Sequence, residues 1–186
     1  ICSDHNILLM TDEIQTGLGR TGRLFCFEHE GIRPDVLIVG KALGGGAYPV
    51  SGILASKTLM NAAFVPGNHG STFGGNPLAC AIGLAALQVI REEKLVERSA
   101  ELGKYFLGEL QRIKAPCVKD VRGRGLMIGV EIKSEFGPAR PYCEGLKNEG
   151  MLCKETHEQV VRFSPPLVID RDTIDWALER IKRVIH

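Results

Sequence analysis

The sequence predicts an α/β protein, with a mainly parallel sheet in its first half and a small α+β domain in its second half. Three short apolar runs in the first half, at residues 7–10, 36–39 and 50–55, are bounded by Gly, Pro and Asp. Continuous apolar runs of this length are typical of strands that are buried on both faces of a sheet. Apolar residues after position 76 recur at helical spacing instead.

Asn76 and Pro77 are predicted to begin a helix, with Asn76 as the N-cap and Pro77 in the first helical position. A second amphipathic stretch covers residues 95–113. We therefore expect one long or broken helix that leaves the first domain and enters the second. The expected domains are residues 1–90 and residues 91–186.

The second half has the alternating pattern of a small α+β domain. Strands and helices are expected to alternate along it, with breaks at glycine and proline residues. The predicted elements are strands at 118–121 and 126–132 around a turn at 122–125, a helix at 140–149, strands at 151–154 and 160–164, and a last helix at 172–184.

Composition excludes several classes of partner. The 23 Lys and Arg residues nearly balance 22 Asp and Glu residues. Nucleic-acid and membrane-surface binders need a concentrated positive charge, so neither partner is expected. No apolar run approaches the roughly 18 residues of a membrane span.

The six cysteines form no C-x-x-C pair, so free thiols in a reducing compartment are favoured over disulfides or a zinc site. The chain lacks an initiator Met and reaches an apolar run at once, which we interpret as a fragment of something longer.

Two charged residues are predicted at the rim of the sheet. Asp12 follows the first apolar run, and Lys41 follows the second, just before three glycines. Ligands of open α/β sheets bind beyond the carboxyl ends of the strands, so neighbouring strands would bring both side chains to one rim. Pyridoxal phosphate (PLP) needs a lysine for covalent attachment and a carboxylate that keeps its ring nitrogen protonated. The structural alternatives are a turn cap, made by Asp12 and Glu13, and an exposed lysine before a flexible loop.

A glycine-rich segment at residues 67–77 is a candidate phosphate site. It carries the hydroxyl groups of Ser71 and Thr72 directly before the predicted helix. Hydroxyls and backbone N–H groups beside a helix start suit a phosphate. Loop chemistry alone also explains these residues.

Arg162 lies inside the apolar run at 160–164. A desolvated guanidinium needs an anionic partner, and it binds a carboxylate through two parallel hydrogen bonds. The α-carboxylate of an amino-acid substrate is one candidate partner, and a structural salt bridge is the other.

The run Gly17-x-Gly19-x-x-Gly22 matches a dinucleotide-binding fingerprint only in its letters. That fingerprint requires glycines that open a helix directly after a strand, with an acidic residue about 20 positions later. Residues 12–16 separate these glycines from the strand, and no clear helix follows. We therefore predict no nucleotide binding here.

Five segments together resemble the class III PLP-dependent aminotransferases: TDEIQTGLGRTG, RPDVLIVGKALGGGAYPVSG, GNHGSTFGGNPLA, VRGRGLMIGVEI and THEQVVRFSPPL. The resemblance covers essentially the whole chain and is closest to the ornithine aminotransferase family, with Thr156 and His157 contributing to that choice. It implies a type I PLP-transferase fold, with part of the large PLP-binding domain followed by the small C-terminal domain.

The resemblance also implies roles for single residues. Lys41 resembles the lysine that binds PLP covalently and shuttles protons, and Asp12 resembles the partner of the pyridinium nitrogen. Gln15 is similar to the glutamine that contacts the cofactor's phenolic oxygen. Ser71 and Thr72 resemble a segment that reaches the phosphate of the neighbouring subunit's cofactor, which implies a homodimer with shared active sites.

Arg162 resembles the arginine that binds the α-carboxylate of glutamate or 2-oxoglutarate. The implied reaction moves the δ-amino group of L-ornithine to 2-oxoglutarate in the cytoplasm, giving glutamate 5-semialdehyde and glutamate. The alternatives are an acetylornithine or other ω-amino-acid aminotransferase of the same class, or an inert fragment. Family members are substantially longer at the N-terminus, where the glycine-rich phosphate loop and a ring-stacking aromatic belong. The isolated chain is therefore expected to be inactive.

Overall fold

The computed structural model describes residues 1–186 and divides them into two compact units. The first unit contains Ile1–Gly19 and Arg23–Leu95. The second contains Arg20–Gly22 and Val96–His186. Each unit has its own sheet and helices, which confirms the α/β class. The sequence did not predict that three residues from the first half belong to the second unit.

The first unit is built on three strands, β1 (Met10–Asp12), β2 (Val36–Val39) and β3 (Gly52–Ala55), in the order β1-β2-β3. Strands β1 and β2 are parallel, whereas β2 and β3 are antiparallel. The prediction of a mainly parallel sheet is therefore wrong for these strands, since the sheet is mixed. A parallel return requires a crossover connection, usually a helix. The link from β2 to β3 contains only a 3-10 turn at Lys41–Gly44, so β3 returns antiparallel.

The first strand also begins later than predicted. Backbone pairing starts at Leu9, whose carbonyl accepts the N–H groups of Asp35 and Val36. Ile7 and Leu8 precede the strand and are exposed. The expected burial on both faces is wrong as well, because apolar side chains of β1 and β3 are exposed, among them Met10, Ile53 and Leu54.

Two helices complete the first unit. Helix α1 (Lys57–Ala63), which was not predicted, begins where the Ser56 hydroxyl accepts the N–H of Leu59. Helix α2 (Pro77–Glu92) begins as predicted, since the Asn76 side chain accepts the N–H of Ala79 at 3.0 Å. Helix α2 lies against the turn at Lys41–Gly44, where Gly83 faces Leu43.

Of the two predicted alternatives, one long helix or a broken one, the structure has the broken helix. Helix α2 ends at Glu92, and helix α3 (Leu95–Gln111) follows after Lys94, whose backbone is left-handed at φ 52°.

The second unit is a four-stranded antiparallel sheet with helices. Its strands are β4 (Val118–Arg124), β5 (Met127–Ile132), β6 (Lys154–Thr156) and β7 (Val160–Phe163), in the order β4-β5-β7-β6, and its further helices are α4 (Arg140–Asn148) and α5 (Arg171–Val184). Alternate residues of β5 point into the core, where Ile128, Val130 and Ile132 are almost fully buried.

Strand β6 lies further along the chain than predicted. The predicted strand at 151–154 overlaps it only at Lys154. The Met151 N–H instead donates to the Leu146 carbonyl, and Gly150 is left-handed at φ 84°. These residues therefore cap α4 rather than extend into the sheet.

Backbone meets backbone without intervening side chains in the second unit. A Cβ added at Gly103 of α3 would lie 2.1 Å from the carbonyl oxygen of Gly125. A Cβ added at Gly125 would in turn lie 2.4 Å from the carbonyl carbon of Thr21. Helix α3, the turn between β4 and β5 and the Arg20–Gly22 segment are therefore in close contact through their main chains.

All six cysteines are free. None of the helices combines the length and apolar character that crossing a membrane requires.

The main-chain contact between Gly103 and Gly125 predicts opposite outcomes for two glycines on helix α3. Gly103→Ala is expected to lower the free energy of unfolding by about 2–3 kcal/mol, because the new methyl group overlaps main-chain atoms that cannot rotate away. Gly108→Ala is the matched control, because its Cβ would have nothing within 4 Å. That change should raise stability by about 0.5–1 kcal/mol through helix propensity. Urea unfolding of both variants measures the difference, and equal effects would contradict the close contact.

Candidate functional site

The parallel pairing of β1 with β2 brings the two predicted rim residues to the same edge of the sheet. Asp12 ends β1 opposite Ile38 of β2, and Lys41 follows two residues after the end of β2. Gly40 lies between the end of β2 and Lys41. A Cβ added at Gly40 would lie 3.4 Å from a methyl group of Ile14. The sequence pattern required neighbouring strands for a shared site, and the strands are neighbours.

Lys41 is held in an unusual conformation. Its backbone is left-handed at φ 45°, a region that non-glycine residues rarely occupy without a functional or structural reason. Its Nζ donates a hydrogen bond to Oε1 of Gln15 at 2.9 Å. The turn that carries it is fixed from behind by the packing of Leu43 against Gly83 of α2. Lys41 and Gln15 were both predicted as site residues, but their direct contact was not.

Only one carboxylate oxygen of Asp12 takes part in a hydrogen bond of the local turn. Its Oδ1 accepts the N–H of Ile14 at 3.0 Å, which is the turn-cap alternative considered for this residue. Oδ2 accepts no hydrogen bond from the chain, and the residue is exposed. Asp12 can therefore bind a cationic N–H group with its second oxygen while the first oxygen holds the loop.

Glu13, the next residue, has a different role. It is only 4% exposed, and its carboxylate accepts hydrogen bonds from the Thr16 hydroxyl and from the N–H groups of Cys26 and Phe27. The carbonyl of Glu13 accepts the N–H of Gly17, where an added Cβ would lie 2.8 Å from that same oxygen. Glu13 thus anchors the loop that carries Gln15. Gly17, four residues after Glu13, is the sequence feature that indicates this close turn.

Ser71 and Thr72 are exposed and lie before α2. The Ser71 hydroxyl accepts the N–H of Gly74 at 2.9 Å, so part of its chemistry supports the loop itself. No hydrogen bond or ion pair joins this segment to Asp12, Gln15 or Lys41. The structure therefore places Asp12 and Lys41 at one edge of the sheet and joins Lys41 to Gln15, whereas Ser71 and Thr72 form no hydrogen bond with these residues.

Arg162 lies in the second unit, on β7, opposite Gly129 of β5 and Lys154 of β6. Its Nε is buried without a hydrogen-bond partner, and no carboxylate of the chain forms an ion pair with it. The structural salt bridge considered for this residue is absent from the chain. Arg162 also lines a cavity of about 490 Å³ that includes Pro165 and Trp176. Its guanidinium therefore has both unsatisfied hydrogen-bonding capacity and space beside it.

A second arginine, which sequence reasoning missed, lies near Arg162. Arg20 belongs to the second unit, and its Nη1 donates to the carbonyls of Leu126 and Pro165. Burial and then the positive charge of Arg162 lower the pKa of the Arg20 guanidinium.

Arg20 lies within the glycine run at residues 17–22 that resembles a dinucleotide fingerprint. That run forms turns, with Leu18 left-handed at φ 55°, and does not open a helix.

Comparison with known proteins gives one family across the chain. The family aminotransferase class-III matches residues 1–185. The ornithine aminotransferase of Bacillus subtilis is 57% identical over 186 residues, which are all of this chain and 45% of that protein.

Solved structures agree with this match. The ornithine aminotransferase of Toxoplasma gondii, crystallised with partial occupancy of PLP at its active site, has a TM-score of 0.94 at 43% identity over 99% of this chain and 44% of its own. The acetylornithine aminotransferase of Elizabethkingia anophelis has a TM-score of 0.91 at 44% identity, over 99% of this chain and 49% of its own. The chain spans less than half the length of these relatives.

Adjacent carboxylates with different surroundings should respond differently to substitution. Glu13→Ala is expected to lower the free energy of unfolding by about 2–3 kcal/mol, because it leaves the N–H groups of Cys26 and Phe27 unpaired. Asp12→Asn is the matched control, since asparagine keeps the acceptor for Ile14 and should change stability by no more than about 0.5 kcal/mol. Denaturant unfolding measures both. If Glu13→Ala were neutral, the carboxylate would not be anchoring the loop.

Proposed function

Because the chain belongs to the class-III aminotransferase family, we propose that it is part of a PLP-dependent enzyme that moves the δ-amino group of L-ornithine to 2-oxoglutarate. The products are glutamate 5-semialdehyde and glutamate. The observation that carries the proposal is the group of Asp12, Gln15 and Lys41 at one rim of the sheet. The high identity to ornithine aminotransferases supports the choice of amino donor.

The chemistry of these residues fits PLP. The cofactor needs a primary amine and a carboxylate, and the rim offers the Lys41 Nζ and the free Oδ2 of Asp12. Gln15 would contact the phenolic oxygen, and Ser71 with Thr72 would hold the phosphate of a neighbouring subunit's cofactor. When bound, PLP supplies an electron sink for the carbon that bears the transferred nitrogen.

Lys41 acts as the proton carrier in this proposal. Its Nζ accepts a proton from the carbon beside the transferred nitrogen and returns it at a neighbouring position, so the amine must lie within hydrogen-bond reach of both. The hydrogen bond to Gln15 limits the directions in which Nζ can point. The strained backbone at Lys41 fixes the base of the side chain, so that less conformational freedom is lost during reaction.

Arg162 binds the α-carboxylate of glutamate or 2-oxoglutarate in this proposal. Its buried, unpaired Nε supports this role, because an unsatisfied guanidinium N–H is costly unless an anion completes it. A planar guanidinium also selects a carboxylate through paired hydrogen bonds.

We assign the first unit to the large PLP-binding domain, with residues 1–90 as its expected extent, and the second unit to the small C-terminal domain. We further propose a cytoplasmic homodimer with shared active sites. Further walls of the pocket would then come from the remainder of the protein and from a second subunit, because the chain spans about 45% of its relatives.

An acetylornithine aminotransferase is the second candidate, favoured by the structural match to an enzyme of that name. Assays of a full-length protein containing this chain separate the two candidates. Turnover of L-ornithine with 2-oxoglutarate is the expected result. Turnover of N-acetylornithine alone would replace the first candidate by the second, and activity on neither would overturn both.

The cofactor-binding lysine can be tested without turnover. After incubation with PLP and reduction with borohydride, peptide mass mapping should place the pyridoxyl group on Lys41. Lys41→Ala should abolish that labelling and the visible absorbance of the bound cofactor. Lys57→Ala is the matched control, because Lys57 is an exposed lysine at the start of α1 in the same unit. Labelling that persisted in Lys41→Ala at the same level would show that another lysine binds PLP.

A further inference from the structure

We propose that the buried Glu13 is a positioning residue for Lys41, and that it acts by fixing the loop that presents Gln15 to the lysine amine. The proposal deepens the proposed function, on which it rests for the chemical use of Lys41. The contacts that support it all lie within the first unit.

The main chain of Glu13 is bonded to the strand that leads to Lys41. Its N–H donates to the carbonyl of Ile38 at 2.9 Å, so the bonding between β1 and β2 continues one residue past Asp12. Lys41 follows Ile38 by three residues. The base of the lysine is therefore located relative to the Glu13 peptide.

The loop that carries Gln15 closes on the same residue. The Glu13 carbonyl accepts the N–H of Gly17 at 3.0 Å, and its Oε2 accepts the Thr16 hydroxyl at 2.5 Å. Gln15 lies inside this loop, and its Oε1 accepts a hydrogen bond from the Lys41 Nζ at 2.9 Å. Glu13 thus holds both the strand before the donor and the loop around the acceptor.

The carboxylate also links the loop to the 3-10 helix at Cys26–Glu30. Its Oε2 accepts the Cys26 N–H at 3.0 Å, and its Oε1 accepts the Phe27 N–H at 2.8 Å. With the Thr16 hydroxyl, three donors therefore meet two oxygens of a side chain that is 4% exposed. Only an ionised carboxylate offers acceptors alone on both atoms, whereas an amide would turn its own N–H group towards a donor. The contacts therefore specify the residue type.

Removal of the carboxylate separates positioning from support of the sheet. Both main-chain bonds of Glu13 stay, so the edge formed by β1 and β2 should persist. The loop loses its side-chain closure and its link to the 3-10 helix, which allows Gln15 to move away from Lys41. An amine held in a hydrogen bond reacts more slowly than a free one, because that bond must break first. The reactivity of Lys41 therefore reports the position of Gln15.

The test uses variants of a full-length protein containing this chain, freed of cofactor so that the lysine amine is available. Brief treatment with acetic anhydride and peptide mass mapping give the acetylation of Lys41 relative to Lys57, an exposed lysine of the same unit. Glu13→Ala and Gln15→Ala are each expected to raise this ratio about fivefold, the effect of losing one hydrogen bond. The double variant should show no further rise, because Glu13 acts through Gln15.

Two further variants distinguish positioning from a general loosening of the fold. Glu28→Ala is the matched control, because the Glu28 carboxylate accepts the Phe25 N–H at 3.1 Å at the start of the same 3-10 helix. It should leave Lys41 acetylation unchanged. Thr16→Val removes only the hydroxyl that closes the loop and should raise acetylation about twofold. Thermal melting shows which variants are folded, and Thr16→Val decides the question if Glu13→Ala does not fold.

Unchanged Lys41 acetylation in a folded Glu13→Ala protein, or in Thr16→Val if Glu13→Ala is unfolded, would overturn the proposal. Unchanged acetylation in Gln15→Ala would also overturn it, since the hydrogen bond would then not restrain the amine. An additive effect in the double variant, or an equal rise in Glu28→Ala, would show that Glu13 does not act through Gln15.

Failure of the proposed function would look different, because the acetylation measurement needs neither PLP nor an amino donor. A protein that transfers no amino group from ornithine, but whose Lys41 acetylation depends on Glu13, would reject the amino donor and keep the positioning role. A protein that turns over ornithine with Lys41 acetylation insensitive to Glu13 would reject only the positioning role.

Discussion

The parallel pairing of β1 and β2 is the constraint on which the candidate site depends. Two parallel neighbours end at the same edge, so the residues that follow them must share one rim. With antiparallel pairing, Asp12 and Lys41 would lie at opposite ends of the sheet. Strand β3 returns antiparallel to β2, so the shared edge of Asp12 and Lys41 requires only the parallel pair β1 and β2. A mixed sheet therefore serves this rim as well as a wholly parallel one would.

Chemistry at the rim also depends on residues that never face it. Asp12 and Glu13 have the same functional group and adjacent positions, yet one is exposed and the other is almost completely buried. In an extended strand, successive side chains point in opposite directions, which separates the two carboxylates by a single peptide. Glu13 satisfies three donors inside the loop, and this leaves Asp12 with an oxygen free. Asp12 thus has one free oxygen at the rim, and Glu13 holds the loop.

Sequence reasoning predicted those features that are set by local chemistry. The Asn76–Pro77 start of α2, the strand at Val36–Val39 and the break between α2 and α3 each depend on a few adjacent residues. The direction of β3 and the position of Arg20 depend on partners far along the chain, and no local pattern encodes them. The run at Gly17–Gly22 forms turns and does not open a helix, which agrees with the reason for predicting no nucleotide site there. Its glycines permit the turns on either side of Arg20.

The second unit is discontinuous in sequence, and this has a consequence for how it can form. Arg20 accepts a hydrogen bond from a residue 79 positions away and donates hydrogen bonds to residues 106 and 145 positions away. During synthesis the Arg20–Gly22 segment emerges long before α3, the β4–β5 turn or Pro165 exist. Contacts at such large sequence separation are slow to form, because loop-closure entropy must be overcome before any of them stabilises the fold. The Arg20–Gly22 segment therefore cannot close onto the second unit before the elements that it joins have been synthesised.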